Sequence, residues 1–237
     1  MKSRDFTPRT QSHYAEAILR RHHKYHRLSY FLKNMTSDQS KYLDTLVTEH
    51  QIKGIVFDCD GTLVDTMPAH YAAWVHALKV IDAPIQLDHA TYRQWGGISS
   101  ARVVGLLNQQ YGIELDPKRL TAAKQEFLAN RLSKVKPIPH IAEFARRISE
   151  THPISVASGG HPTNVRNSLG GAGLGNLFAE DRIFTPFDVP NGKPAPDMFL
   201  LAAKKMQTQP EATLVIEDGP PGIEAAIAAK MPWVFLD

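Results

Sequence analysis

The chain has 237 residues, 43% of them hydrophobic and 22% charged, and a formal net charge of +3 when histidine is neutral. That length suits one domain with a subdomain or two small domains, and the apolar share allows a core of useful size. The charge is too mild for nucleic acid to be the main partner. The single cysteine, Cys59, excludes an internal disulfide and fits a reducing, cytoplasmic compartment. No apolar run approaches the roughly 20 residues that a transmembrane helix needs, and the first residues lack the apolar centre of a secretory signal.

Residues 1–34 concentrate Lys2, Arg4, Arg9, Arg20, Arg21, Lys24, Arg27 and Lys33 against Asp5 and Glu16. Tyr14, Ile18, Tyr25, Leu28 and Leu32 recur at helical spacing, so a basic amphipathic helix is expected from about Ser12 to Lys33. The plain reading is a partly ordered, solvated extension. Docking on its own domain, on a protein or acidic surface, or service as a targeting segment are the alternatives. The patch HHKYH (His22, His23, His26) has no cysteine or acid beside it, which argues against a metal there. A second helix is expected from Asp38 through Tyr42, Leu43, Leu46 and Val47, and residues 1–50 read as a basic helical extension.

From residue 53 the pattern changes. Ile55, Val56 and Phe57 form a short continuous apolar run of the buried-strand kind, and similar runs follow at 153–158, 182–185, 213–218 and 232–237. Helical segments separate most of them: one is marked by Ala142, Phe144, Ala145 and Ile148, another runs from Phe199 to Met206, and a third from Gly222 to Lys230. Strand–helix alternation predicts an α/β, Rossmann-like fold with a parallel five-stranded sheet covered on both faces. Residues 67–136 break the alternation and read as helices only: Pro68–Val80, Asp88–Trp95, Ser99–Tyr111 and Pro117–Val135. They are expected to form an inserted helical cap, with 51–66 and 137–237 making the core domain and the prolines of KPIPH stiffening the return.

In an open parallel sheet, ligands bind beyond the carboxyl ends of the strands. Asp58 and Asp60 sit at that end of the first of these strands, Ser158 at that of the second, and Glu217 and Asp218 at that of the fourth; Lys193 lies in a loop just before a helix. Carboxylates this close repel one another and are costly to desolvate, so a cation or a reaction is expected to hold them together. Any one of these residues alone is weak, but four separate segments offering carboxylates, a hydroxyl and an ammonium to one spot point to a reactive site.

The segments DCDGTLVDT, SVASGG, GKPAPDMF and VIEDGPPGIEAA resemble the four motifs of the haloacid dehalogenase-like hydrolases over about residues 53–237. The helical insertion after the first motif is similar to the cap of the branch that contains beta-phosphoglucomutase and small sugar-phosphate phosphatases. The resemblance implies a phosphomonoesterase acting on a small phosphorylated metabolite, and it marks His70, Gly97 in the cap loop WGGISS, and Gly159 as facing the substrate. The residues themselves allow the same chemistry. Asp58 is the candidate nucleophile and Asp60 the candidate general acid and base. Mg²⁺ is the expected cofactor, with Asp58, Asp218, the carbonyl of Asp60 and, through water, Glu217 as ligands. Glu217 has a second reading, as the group that orients Lys193. The backbone near Gly61 and Thr62 is expected to cradle phosphate oxygens, Ser158 to donate a hydrogen bond, and Lys193 to neutralise charge. Asp65 reads as a cap for the helix that follows it.

Departures from the family pattern refine the expectation. Phosphoglucomutases carry a Lys before the loop Gly where this chain has Gly96, and an Arg soon after where it has Ser100. Losing two cations there argues against holding a second phosphate, and so favours hydrolysis similar to that of fructose-1-phosphate phosphatases over mutase turnover. Dehalogenation is disfavoured because Asp60 supplies the leaving-group acid. Gly219 and Pro220 replace the usual Ser after the fourth-motif acids, and His161 follows SGG. A different class of function, a docking or scaffold protein acting through the basic N-terminal helix, is the remaining alternative. A monomer is expected.

Overall fold

The computed structural model describes residues 29–32 and 37–236. Strands β1 (Ser29–Leu32), β2 (Gly54–Phe57), β3 (Ile154–Ala157), β4 (Ile183–Phe184), β5 (Thr213–Glu217) and β6 (Trp233–Leu236) form one sheet in the order β1-β6-β5-β2-β3-β4. Every pairing is parallel. Helices α1 (Ser37–Glu49), α2 (Met67–Val80), α3 (His89–Gln94), α4 (Ser100–Tyr111), α5 (Pro117–Leu128), α6 (Pro139–Ile148), α7 (Pro162–Gly171), α8 (Asp197–Met206) and α9 (Pro220–Ala228) supply the crossovers and the insertion.

The apolar runs follow from burial on both faces. Successive side chains of a strand point to opposite sides, and here both sides are covered. Ile55, Phe57, Leu214, Ile216 and Val234 enter a layer with Leu43, Ile141 and Phe144. Val56, Val215, Trp233 and Phe235 enter the opposite layer with Met198, Phe199 and Ala226. A strand buried on both faces has no solvent side to mark with polar residues, hence the unbroken GIVF and TLVIE.

The insertion builds its own small core from Trp74, Leu78, Tyr92, Val104, Leu107 and Leu120. Three of its helices start where a side chain satisfies a first-turn N–H group: Asp88 accepts from Thr91, Ser99 from Arg102, and Asp116 from Lys118. Gly112 ends α4 in the left-handed region at φ 64°. Two linkers join insertion and sheet side by side, with Asp65 N–H donating to the Lys136 carbonyl and Ile138 N–H to that of Leu63, both at 2.9 Å.

Four expectations are corrected. The basic helix drawn over Ser12–Lys33 lies outside the described residues except at its end, where 29–32 form β1; the HHKYH patch lies outside them too. β1 pairs with β6 from Ser29↔Trp233 to Leu32↔Leu236, so the sheet has a sixth strand beyond the five anticipated. Nor is the segment before residue 51 an appendage throughout, because α1 buries Leu43, Leu46 and Val47 in the main core, and Arg147 of α6 reaches Asp44 at 2.6 Å. Finally, α5 stops at Leu128 rather than Val135. The chain turns there, and Leu132 is buried against Ala73 and Leu128; that contact outweighs continuing the helix.

Candidate active site

β2 delivers Asp58 to the carboxyl edge of the sheet, and the Asp58 N–H still donates to Ile216 of β5 at 2.9 Å, so its backbone stays in register. The side chain is 1% exposed. Lys193, also buried, donates to Asp58 Oδ1 at 2.6 Å and to Glu217 Oε1 at 2.7 Å. Glu217 Oε2 accepts from the Asp218 and Gly219 N–H groups, each at 2.7 Å, so both of its oxygens are engaged. Gly222 makes room for this carboxylate: a Cβ there would lie 1.7 Å from Glu217 Oε1. Asp218 accepts from the Thr62 hydroxyl at 3.1 Å. Gly61, at φ +95°, leaves open the space over Asp218 where a Cβ would come within 2.2 Å of Oδ2.

One ligand oxygen from each of Asp58, Glu217 and Asp218 falls within 4.8 Å of the others. Asp58 Oδ2 is buried and has no partner among the described residues. The electrostatics of this trio are unbalanced. Burial, and then the Glu217 charge, push the Asp58 carboxyl well above the usual carboxylate range against the pull of Lys193. Asp218 is pushed up to about 8, first by burial and then by Glu217. Burial alone would lower Lys193, but Asp58 and Glu217 outweigh it and hold the ammonium above its ordinary value. A single ammonium faces three carboxylates, and the cluster lacks positive charge.

Asp60 belongs to a different neighbourhood. Its carboxylate takes hydrogen bonds from the Thr66 hydroxyl at 2.7 Å and the Ser158 hydroxyl at 3.1 Å, and lies 3.2 Å from His70 Nε2. Burial would raise it, but the His70 charge and the three hydrogen bonds together leave it below the usual range. Of the residues expected to ligate metal, Asp60 is thus the one whose side chain turns away from the acidic trio, because Thr66 and His70 at the start of α2 draw it toward the insertion. Asp65 does not cap that helix; Thr66 is its N-cap residue and gives its hydroxyl to Asp60 instead.

Between the sheet edge and the insertion lies a cleft with about 550 Å³ of free space, part of it open to solvent. Asp58, Asp60, Ser158, Gly159, Gly160 and His161 line it from below; His70, Trp74, Tyr92, Gly97, Ser100 and Lys124 line it from above. Gly61, Thr62, Lys193, Glu217 and Asp218 stand behind Asp58 and do not line the cleft. The loop Gly96–Ile98 rests directly on the core. A Cβ on Gly159 would lie 2.2 Å from the Gly97 carbonyl oxygen, and one on Gly219 would lie 2.8 Å from that of Gly96.

Among the lining residues that the sequence reading did not single out are two buried polar ones. Lys124 of α5 is 8% exposed, donates to Ser100 Oγ at 3.1 Å, and sits 4.6 Å from the Trp74 ring centroid. Burial lowers its ammonium to about 8. Asn164 in the first turn of α7 is 6% exposed. The signal for both was present: Leu120, Lys124 and Leu128 share one helix face, as do Asn164 and Ser168 beside Val165 and Leu169. A polar residue on a buried stripe is informative.

The comparison with protein families settles which group this site represents. A model of the haloacid dehalogenase-like hydrolases matches residues 52–230. The chain belongs to that family. This hydrolase is 32% identical over 182 residues to the fructose-1-phosphate phosphatase YqaB of Escherichia coli K12, an alignment covering 76% of this chain and 94% of that protein. It is 30% identical over 191 residues to the beta-phosphoglucomutase of Bacillus subtilis 168, covering 76% and 81%. Among solved structures, a hydrolase from Pseudomonas syringae superposes with a TM-score of 0.68 at 26% identity, covering 77% of this hydrolase and 84% of that chain. Among the described residues, no helix of the hydrolase is long and apolar enough to cross a membrane.

Proposed function

We propose that this hydrolase is a phosphomonoesterase that cleaves a small sugar phosphate through a phosphorylated Asp58. The observation that carries the reading is the Asp58 carboxylate, with one oxygen fixed by Lys193 at 2.6 Å and the other buried without a partner at a cleft shared with Asp60. A buried acceptor left unpaired costs on the order of 1–3 kcal/mol, a cost that a reactive site carries. The named activity of the Escherichia coli relative supports the same reading.

The steps follow from the groups in place. An Asp58 oxygen attacks phosphorus as the bond to the sugar oxygen breaks, and Asp60 gives that oxygen its proton. Asp60 is held low by His70, Thr66 and Ser158, and the incoming phosphate dianion raises its proton affinity by like-charge repulsion. In the second half, the Asp60 carboxylate takes a proton from water, and that water attacks phosphorus and releases Asp58 and inorganic phosphate. Lys193 fixes the nucleophile and balances charge, and Glu217, with both oxygens engaged, holds Lys193.

The donor set fits a hard divalent cation such as Mg²⁺: oxygens of Asp58 and Asp218, the unpartnered Asp58 Oδ2, and the space beside Asp218 that Gly61 keeps open. Asp58 and Asp218 would hold it, with the Asp60 carbonyl as a further donor and Glu217 acting at one remove. Bound there, it neutralises the carboxylates and the phosphate. A mutase would need further cations for a second phosphate, and among the described cleft-lining residues Lys124 is the only lysine or arginine, with its ammonium lowered by burial to about 8.

A phosphate-release panel of fructose 1-phosphate, glucose 1-phosphate and 6-phosphogluconate, run with and without Mg²⁺, tests this reading. Inorganic phosphate should appear only with the cation, and Asp58→Asn should abolish it while the fold persists. Added Mg²⁺ should raise the melting midpoint of the wild type and not that of Asp218→Asn. Turnover surviving in Asp58→Asn would refute the assigned nucleophile.

A further inference from the structure

Asn164 is used by nothing in the chemistry above. Its side chain is nine-tenths buried, yet among the described residues it has no hydrogen-bond partner, and it lines the cleft beside Gly160 and His161. The residue keeps 6% of its surface exposed where it lines the cleft, and an amide carries both a donor and an acceptor edge. An amide left open at the wall of a ligand cleft waits for a group with the same two faculties, and a sugar hydroxyl both donates and accepts. A second phosphate or a carboxylate only accepts, and would use half of it.

The neighbours are consistent with a neutral, hydroxyl-bearing guest. His161 Nδ1 accepts the Thr163 N–H at 3.3 Å, and the ring meets Phe187 edge-on at 5.1 Å. Gly160 contributes no side chain: a Cβ there would come within 3.1 Å of Ser158 Oγ and 3.3 Å of Asp60 Oδ2. Across the cleft, Lys124 gives one N–H to Ser100 and keeps others to offer.

We propose that Asn164 is a specificity-determining residue, reading a hydroxyl on the part of the substrate that Asp58 does not hold. The proposal rests on the phosphomonoesterase reading and is tested separately from it. Let kcat/KM be measured for the panel member turned over best and for phenyl phosphate, which has the same ester and no hydroxyl, in the wild type, Asn164→Leu and Asn164→Asp. The ratio of sugar phosphate to phenyl phosphate should fall about tenfold or more in Asn164→Leu, the size of one lost well-placed hydrogen bond, chiefly through KM. Asn164→Asp, which keeps the acceptor and loses the donor, should fall in between. The melting midpoint of Asn164→Leu should equal or exceed that of the wild type, because the substitution removes no hydrogen bond among the described residues and adds apolar surface at a position only 6% exposed. An unchanged ratio, or a parallel loss on both substrates with a lowered midpoint, would overturn the assignment while leaving the phosphomonoesterase reading intact. A wild type that hydrolyses neither ester would overturn both.

Discussion

Consider Gly159→Ala. The added methyl would lie 2.2 Å from the Gly97 carbonyl oxygen, 2.6 Å from its carbonyl carbon and 3.0 Å from that of Ile98. All three are backbone atoms, so no side chain can swing aside. Restoring ordinary contact at about 3.5 Å means the loop must retreat by about 1 Å. That loop roofs the cleft and abuts Lys193 and Glu217 through Gly97. A displacement of about 1 Å in positioning backbone costs about 10²-fold in rate, or about 2.7 kcal/mol of barrier. Stability should change little, because neither the sheet layers nor the core of the insertion is touched. The control is Gly105→Ala in α4, where a Cβ meets nothing within 4 Å; it should keep full turnover and gain about 0.5–1 kcal/mol of stability. Steady-state phosphate release and thermal melting on both variants decide the matter. A kcat for Gly159→Ala within about threefold of the wild type would refute the claim that this glycine contact seats the loop.

Two further expectations rest on other contacts. Burial holds Lys124 at about 8 against an ordinary 10.5, so above that pH the cleft loses a cation and KM should rise, a limb absent in Lys124→Met. Stability should move the opposite way from pH about 8 to 10.5, increasing as the pH rises, because there the unfolded chain binds a proton that the folded one does not; a fall across that window in the wild type relative to Lys124→Met would contradict the assignment. For α1, Leu43→Ala should cost about 2–5 kcal/mol in denaturant melts, while Asp44→Ala, which breaks a half-exposed pair with Arg147, should cost under about 1 kcal/mol. Equal losses would mean that the ion pair, not burial, docks the helix.

How much the sequence disclosed depended on whether a feature was local. β2 and β5 were legible because strands covered on both faces are written as unbroken apolar runs, and α4 because Ser99 and Gly112 mark its ends. The convergence of Asp58, Ser158 and Asp218 could be anticipated from strand ends, since a parallel sheet brings every carboxyl end to one edge, and Lys193 joins them from the loop that precedes α8. β1 could not: SYFL sits in a stretch with helical periodicity, and only pairing with β6, about two hundred residues later, makes it a strand. The destination of the Asp60 carboxylate was hidden for a similar reason. It depends on Thr66 and His70, whose approach is set by how the insertion folds back over the sheet.

The position of β1 bears on how the basic N-terminal stretch can be studied. A shortened chain starting at residue 51 would strip the outer partner from WVFL, a four-residue aromatic and aliphatic strand whose hydrogen-bonding edge would then face solvent. Such an edge invites pairing with another molecule and growth into aggregates. Precipitation of that fragment would therefore report a bared β6 and a core stripped of α1, not a lost docking function, and charge reversal at Arg20, Arg21 and Lys24 is the cleaner way to question the residues ahead of it.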